Sequence, residues 1–389
     1  MRVVIVSKTF VADTAQRQLE WIARQPGVEL TLITPPDWHA DDGRVWPFVP
    51  RFTEGYAVHQ LPVIFNGHFH NYAYRGLASA IDEIRPDLIH IDEEPYNFAG
   101  AQVQRIAAKR NIPTIFVALQ SIYRRYPPPY SLFEQYDYRH TAHIISVNAD
   151  VEVVIRRKGY QGQSSIFYVY GIDPELYAPR PRPARRDDTF VAGYLGRLLF
   201  DKGLGVLIEA LTQLPENFRV RLVGSGPDRD ALVDLATTRA VAERVEFVPA
   251  VSSTEIPEAL AQMDVLVLPS LTRHNWKEQF GRVLIEAMAC DVPVLGSNSG
   301  EIPNVISNAG LIVPEGNAEA LAQGLHTLQE QPELRADYVR RGRERVFGQF
   351  TQEQVARRTV ALYQQVVGGS NVAARSMGEA LADTHPADR

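Results

Sequence analysis

The chain has 389 residues, 45% of them hydrophobic and 22% charged, with a formal charge of −6 at neutral pH. At roughly 150 residues per domain this length suits two domains, and the mild acidity argues against a nucleic-acid surface built on net charge, leaving only a local basic patch open. Cys290 is the only cysteine, which excludes an intramolecular disulfide and fits a reducing compartment.

The opening "MRVVIVSKTF" holds an apolar run too short for a signal peptide or a membrane span, and it reads as a first buried strand. A cytoplasmic setting is expected, with any membrane contact peripheral. "TAQRQLEWIARQ" then reads as a helix and "VELTLIT" as a strand, followed by "DLIHID", "PTIFVAL" and "AHIISVN" as strands and "AGAQVQRIAAKR" as a helix. Strands apolar on both faces and spaced by helices imply a parallel sheet covered on both sides, a doubly wound α/β domain.

"APRPRPARRDD", residues 178–188, has alternating prolines that cannot continue a helix or a central strand, so it reads as a linker between domains. Beyond it the same rhythm returns. "TFVAGYLG", "FRVRLVG", "RVEFVP", "DVLVLPS", "VPVLGS" and "GLIVPEG" are strand candidates, and "GLGVLIEALTQL", "DRDALVDLATT", "TEIPEALAQM" and "AEALAQGLHTLQE" are helix candidates. "FTQEQVARRTVALYQQVV" reads as a last helix, and the small polar residues from Gly368 onward as a fraying tail. The expected architecture is two tandem Rossmann-like domains. Ligands are expected in the cleft between them, facing the carboxyl ends of the strands.

Candidate functional residues therefore follow strands. Arg197 and Lys202 in "GRLLFDKG" present two cations before a helix, as a diphosphate requires; the bland alternative is a solvated loop with Lys202 paired to Asp201. In "VGSGPDRD", Gly224 and Gly226 resemble a dinucleotide fingerprint, but Arg229 stands where its third glycine would be, so an NAD-dependent enzyme is disfavoured. A tight turn with Gly224 close to a ligand fits better. The stretch "AVSSTEIPEAL", from Ala250 and Val251, offers backbone groups at another strand end, with Ser252 or Ser253 as a helix cap.

"EQFGRVLIEAMACDVPVLGSNSG", residues 278–300, carries the strongest signal. Phe280, Val283, Leu284, Ala287 and Met288 fall on one stripe at about 100° per residue and form the core side. Gln279, Arg282 and Glu286 fall on the other, where an i,i+4 pair between Arg282 and Glu286 is the bland reading. Gly281 would let a phosphate or sugar reach the first N–H groups of the helix. Carboxylates beside a phosphate site suit sugar hydroxyls, so Glu278 and Glu286 with Arg197 and Lys202 describe a nucleotide-sugar pocket.

"GRLLFDKG", "VGSGP", "DVLVLPS" and the Glu278–Glu286 pair, in this order and spacing, resemble the retaining glycosyltransferases of family four, which have the two-Rossmann GT-B fold. "YGIDPELYAP", residues 170–179, resembles the segment ending that family's first domain. The likeness covers essentially the whole chain, most strongly from Gly193 to Gly316. It implies an acceptor-binding domain over 1–172, a linker over 173–188, a donor domain over 189–348, a helix over 349–367 returning to the first domain, and a tail over 368–389.

By the same resemblance Arg197 and Lys202 bind the donor diphosphate and stabilise it as it leaves. Glu278 holds hydroxyls of the transferred sugar beside the backbone of Phe280 and Gly281, and Glu286 holds the ribose. Gly196, Gly224, Ala250, Val251 and Arg282 complete the donor site. The implied reaction moves a hexosyl unit from a UDP- or GDP-sugar to a carbohydrate or lipid-linked glycan, with no metal or other cofactor. A sugar-nucleotide epimerase, a phosphorylase or a non-catalytic sugar-nucleotide-binding protein are the rivals. One departure is that the family often has glycines after the first strand, whereas "SKTFVADTAQ" has none; either Lys8 substitutes for them or the loop's amides still reach the phosphate.

Acceptor residues are less legible. "DLIHIDEEPYNFAG" brings His90, Asp92, Glu93 and Glu94 to a strand end, but consecutive residues of an extended segment face alternate sides, so Asp92 and Glu94 are read as partners of acceptor hydroxyls rather than of a metal. "SIYRRYPPPYSLFEQYDYRH", with Tyr123 as its acceptor candidate, mixes aromatics with arginines, a composition that suits sugars or anionic lipids and equally a solvated loop. His68 and His70 stand apart from any motif.

Overall fold

The computed structural model describes residues 1–40, 43–182 and 188–382. The chain divides into two compact units, Met1–Tyr170 with Gln352–Arg389, and Gly171–Thr351. Part of the proline-rich 178–188 segment, residues 183–187, lies outside the described residues, as do residues 383–389 of the expected tail.

The first unit is built on a seven-stranded sheet: β1 (Arg2–Val6), β2 (Glu29–Thr34), β3 (Tyr56–Gln60), β4 (Leu88–Ile91), β5 (Thr114–Ala118), β6 (His143–Ser146) and β7 (Gln163–Ile166). Its order is β7-β6-β5-β4-β1-β2-β3, with every pairing parallel. Val3 to Val6 and Ile115 to Val117 are buried throughout, as central strands covered on both faces must be. The Asp13–Ala23 helix covers one face together with the C-terminal helix, Gln352–Ala382, whose Ala356, Val360 and Tyr363 enter the core of this unit. That helix continues through Gly368 and Gly369, beyond the end expected at residue 367. Its extension, "AARSMGEALA", is rich in good helix formers.

The second unit carries a six-stranded sheet: β8 (Phe190–Leu195), β9 (Phe218–Val223), β10 (Val245–Val248), β11 (Val265–Leu268), β12 (Val294–Ser297) and β13 (Gly310–Val313). The order is β10-β9-β8-β11-β12-β13, again all parallel. Each of these strands was expected from its apolar run. The Pro332–Gln349 helix was not, because only Gly342 and Val346 of its residues are fully buried and its polar pattern has no clear stripe. Among the described residues no helix is long and apolar enough to cross a membrane.

Each sheet reverses its strand order beside its first strand, between β1 and β4 and between β8 and β11. Ligands of doubly wound sheets bind outside the carboxyl ends of the strands at such a reversal.

Candidate active site

In the second unit the reversal is bridged by side chains from both flanking strands. Lys202 ends a short 3-10 turn, Phe200–Lys202, after β8, and Glu278 lies in the segment after β11. The Lys202 Nζ meets Glu278 Oε2 at 2.7 Å, and the Ser270 hydroxyl donates to the same oxygen at 2.9 Å. The Trp276 ring lies 4.6 Å from the ammonium. Asp201 is not the partner of Lys202: it pairs with Arg273 at 3.0 Å, and its carbonyl accepts from the Leu271 amide at 2.8 Å. The turn is thus pinned to the segment after β11, which directs Asp201 away from Lys202.

Arg197 is exposed, and the structure records no carboxylate partner for its guanidinium among the described residues. Its carbonyl accepts from the Tyr194 hydroxyl at 2.8 Å. The charges of Arg197 and Glu278 both act on the Tyr194 hydroxyl, which puts the exposed arginine in the neighbourhood of the Lys202–Glu278 pair and leaves positive charge available for an anion.

Two glycines have packing reasons of their own. A Cβ on Gly224 would stand 1.8 Å from the Gly196 carbonyl oxygen, so the loops after β8 and β9 approach each other closely there. Gly281 has φ +80°, and a Cβ on it would meet Leu268 Cδ2 at 2.8 Å. It is therefore the left-handed hinge that aims the Arg282–Ala289 helix and seats it on β11. Phe280 beside it is buried and meets the Phe350 ring edge-on at 5.5 Å.

Glu286 corrects the helical-wheel reading. It is buried, not on a solvent face, and so is Ile285. The i,i+4 pair does form, Arg282 Nε to Glu286 Oε1 at 2.9 Å, and the buried Tyr177 hydroxyl donates to that same oxygen at 3.0 Å. Burial pushes the Glu286 carboxyl above its ordinary pKa, against the pull of Arg282 and Tyr177. A carboxylate at the fifth position of a helix is buried here because the segment around Tyr177 covers it, which a wheel drawn on one helix does not include.

Ala250 is exposed and Val251 half-buried in the loop after β10. Ser252 does not cap the next helix, whose N-cap is Glu255. Its amide and hydroxyl instead donate to Glu255 Oε2, at 2.9 and 2.6 Å.

The first unit's reversal is also bridged by a lysine and a glutamate. Lys8, after β1, forms an ion pair with Glu93, after β4, and the Phe69, Tyr72 and Trp38 rings lie 4.5, 5.1 and 5.5 Å from its ammonium. Glu93 also accepts from the Tyr72 hydroxyl and from Asn97. Lys8 is therefore held by Glu93 and three rings. Asp92 accepts from Ser7 at 2.8 Å and from Tyr170 at 3.0 Å, and burial raises its pKa. Glu94 accepts from the Leu119 amide at 3.1 Å and is pushed by burial to about 8. The three acids thus point to three different sets of partners. Among the described residues no group of three or more acidic, His or Cys side chains has metal-holding geometry. Tyr123 is partly exposed, with the Arg157 guanidinium 4.0 Å from its ring. His70 lies among the Tyr130, Tyr96 and Tyr126 rings, at 5.4, 5.5 and 6.0 Å.

Both units match family models. Residues 11–164 match the glycosyl transferase 4-like domain, and residues 179–345 match the glycosyl transferases group 1. The chain belongs to this family of glycosyltransferases. It is 34% identical over 201 residues to WcaL of Escherichia coli (strain K12), named for colanic acid biosynthesis, a match covering 50% of this chain and 49% of that one. It is 31% identical over 176 residues to a GDP-mannose-dependent phosphatidylinositol monomannoside mannosyltransferase of Mycolicibacterium smegmatis, covering 42% and 46%. The chain thus spans about half the length of the curated relatives it matches. HepE of Anabaena, solved with UDP, shares the fold over 94% of this chain and 100% of its own, with a TM-score of 0.71 at 18% identity. Two parallel-sheet α/β units in this arrangement along the chain are the GT-B fold.

In the second unit, sequence reasoning missed three residues that touch the candidate donor-site side chains: Ser270, Trp276 and Tyr177. Ser270 ends "DVLVLPS" and Tyr177 lies in "DPELYAP", so both stood inside recognised segments. Ser270 was marked only by its position after a strand, and neither residue carries a charge to mark it.

Proposed function

We propose that the chain transfers a hexosyl unit from a nucleoside diphosphate sugar to a carbohydrate or lipid-linked glycan acceptor, with retention of anomeric configuration. The observation that carries this reading is the Lys202–Glu278–Ser270 cluster across the strand-order reversal, with the exposed Arg197 beside it. Arg197 and Lys202 take the diphosphate and stabilise the charge that grows on it as it departs. When the phosphates draw Lys202, Glu278 turns its acceptor oxygens to hydroxyls of the transferred sugar. Glu286, with Arg282 and Tyr177 on one oxygen, offers the other to the ribose. The departing phosphate oxygen takes the acceptor's proton, so no separate base is required.

The first unit takes the acceptor, with Asp92, Glu94 and Tyr123 as hydroxyl and ring partners. HepE's UDP supports a uridine donor, and the mannosyltransferase's GDP-mannose a guanosine donor. The deciding experiment incubates the protein with UDP- and GDP-hexoses against a glycan panel and reads products by mass and anomeric coupling. Transfer that persists in EDTA is expected, because Arg197 and Lys202 supply the charge a divalent ion would. Nucleotide-sugar binding without transfer to any member, an inverted product, or a strict need for manganese or magnesium each overturns part of the reading.

A further inference from the structure

The first unit holds a cavity of whose lining the roles above use Tyr123 alone. It measures about 610 Å³ and lies where the segment after β5 meets the Tyr130–His140 helix and the end of the Ala149–Arg157 helix. Its lining includes Arg124, Arg125, Arg157 and Lys158, against one carboxylate, Glu134. For a chain of net charge −6, four cations around one cavity are a local reversal of sign. Like charges so grouped repel one another and focus a positive potential into the space between them.

The geometry shows which of these cations are committed. Lys158 is nearly buried and is fixed by Glu134 Oε1 at 2.6 Å and Gln120 Oε1 at 2.7 Å, so the single carboxylate is used up inside the wall. Arg157 is exposed and lies over the Tyr123 ring at 4.0 Å. Stacking on a ring face occupies neither the edge nor the N–H groups of a guanidinium, so it fixes the plane while leaving the donors directed outward. Arg125 is exposed as well. Aromatic faces complete the lining: Tyr123, and Tyr126, which lies 4.9 Å from the Lys158 ammonium and stacks on Tyr96 at 4.3 Å. Rings give a sugar a flat apolar face, and planar guanidinium groups grip an anion with two oxygens at once. The volume suits one or two sugar rings with a charged substituent. The segment after β5 leaves the same sheet end as Asp92 and Glu94, which follow β4.

We propose that this cavity binds an anionic group, a phosphate or carboxylate, carried by the glycan acceptor. This rests on the proposed transferase reading only in naming the occupant as acceptor. Arg157 and Arg125 grip the anion, Tyr123 and Tyr126 carry the sugar face, and Lys158 sets the background potential without leaving Glu134. The class of acceptor is then a phosphorylated or uronic-acid glycan rather than a neutral one.

Calorimetric titration of the full chain with glucose 6-phosphate, glucuronate and glucose tests this, in wild type and in a variant carrying Arg125→Glu and Arg157→Ala. Both substituted residues are exposed, so folding should survive, and melting temperature checks it. UDP titration of each protein reports the donor unit separately. The expected result is that both anionic sugars bind at least about tenfold tighter than glucose, that the variant loses this preference, and that UDP affinity is unchanged. Equal binding of glucose, or a preference that survives in the variant, overturns the proposal. Capture by phosphatidylglycerol vesicles, with the same dependence on Arg125 and Arg157 and no binding of either soluble anion, also overturns it and assigns the cavity to a lipid surface. Anion binding in a protein that binds no nucleotide and transfers no sugar overturns the acceptor role while showing that the failure lies in the transferase reading.

Discussion

Lys8–Glu93 and Lys202–Glu278 occupy the same place in their two sheets, each bridging the point where strand order reverses. Their surroundings differ. Lys8 is enclosed by three rings, and Glu93 is additionally bound by Tyr72 and Asn97, leaving its side chain 0% exposed. Lys202 has one ring, retains 19% side-chain exposure and stands near an exposed arginine. A pair saturated by neighbours holds a fold together. A pair with open flanks and a second cation near it can exchange partners for a ligand.

The strongest way to break this comparison is Lys8→Ala. It leaves Glu93 buried without its counter-charge, and removing one partner of a buried pair costs roughly 3–5 kcal/mol. A large drop in melting temperature is expected, with donor nucleotide affinity unchanged in the protein that remains folded. If Lys8→Ala melts like wild type, the first pair is not structural.

Lys202→Ala should show the opposite balance. Charge-assisted contacts are worth roughly 1.5–3 kcal/mol, so turnover should fall by more than about tenfold, and Arg197→Ala should match it without any loss of stability. Near wild-type rates in both variants would make the second pair as structural as the first. Glu278 and Glu286 sharpen the same point. On the proposed assignment Glu286→Ala should mainly raise the donor KM, since a contact to the ribose would be made before and during reaction, whereas Glu278→Gln should mainly lower kcat. Steady-state kinetics in which the two variants fail alike would remove the distinction between them.

A pH series probes the buried acids of the first unit. Glu94 is held at about 8, against an ordinary 4.5. A folded-state pKa above the unfolded one gives stability that is complete below about pH 4.5 and is lost as pH rises toward 8. Asp137 is pushed up by burial too, and neither of its oxygens has a protein partner among the described residues, so it acts in the same direction. From pH 6 to 8 Glu94 should cost up to about 2 kcal/mol, and Glu94→Gln should flatten the melting-temperature profile. A steeper profile in the variant would contradict the buried, neutral carboxyl. The smallest effect belongs to Arg282→Ala: the guanidinium is half-exposed, and its loss takes one charge-assisted contact, worth about 1.5 kcal/mol, from the buried Glu286 while Tyr177 still donates to the same oxygen. Its melting temperature should fall less than that of Lys8→Ala, and an equal fall would mean that Arg282 holds more than Glu286.

What the sequence determined by itself was everything governed by local periodicity. The six strands of the second sheet, the helix beginning at Arg282 and the order of the motifs follow from apolar runs between turn residues, because a central parallel strand must be apolar on both faces. Tertiary structure decided the rest. That Lys202 meets Glu278 rather than Asp201 depends on a turn pinned to a segment some seventy residues on. Glu286 is buried because Tyr177 and its neighbours cover it, and Gly224 is a glycine because another loop's carbonyl fills the space of its side chain. The basic cavity draws on two separate segments and a helix end, and no short-range pattern marks residues that meet only after the sheet has brought them together.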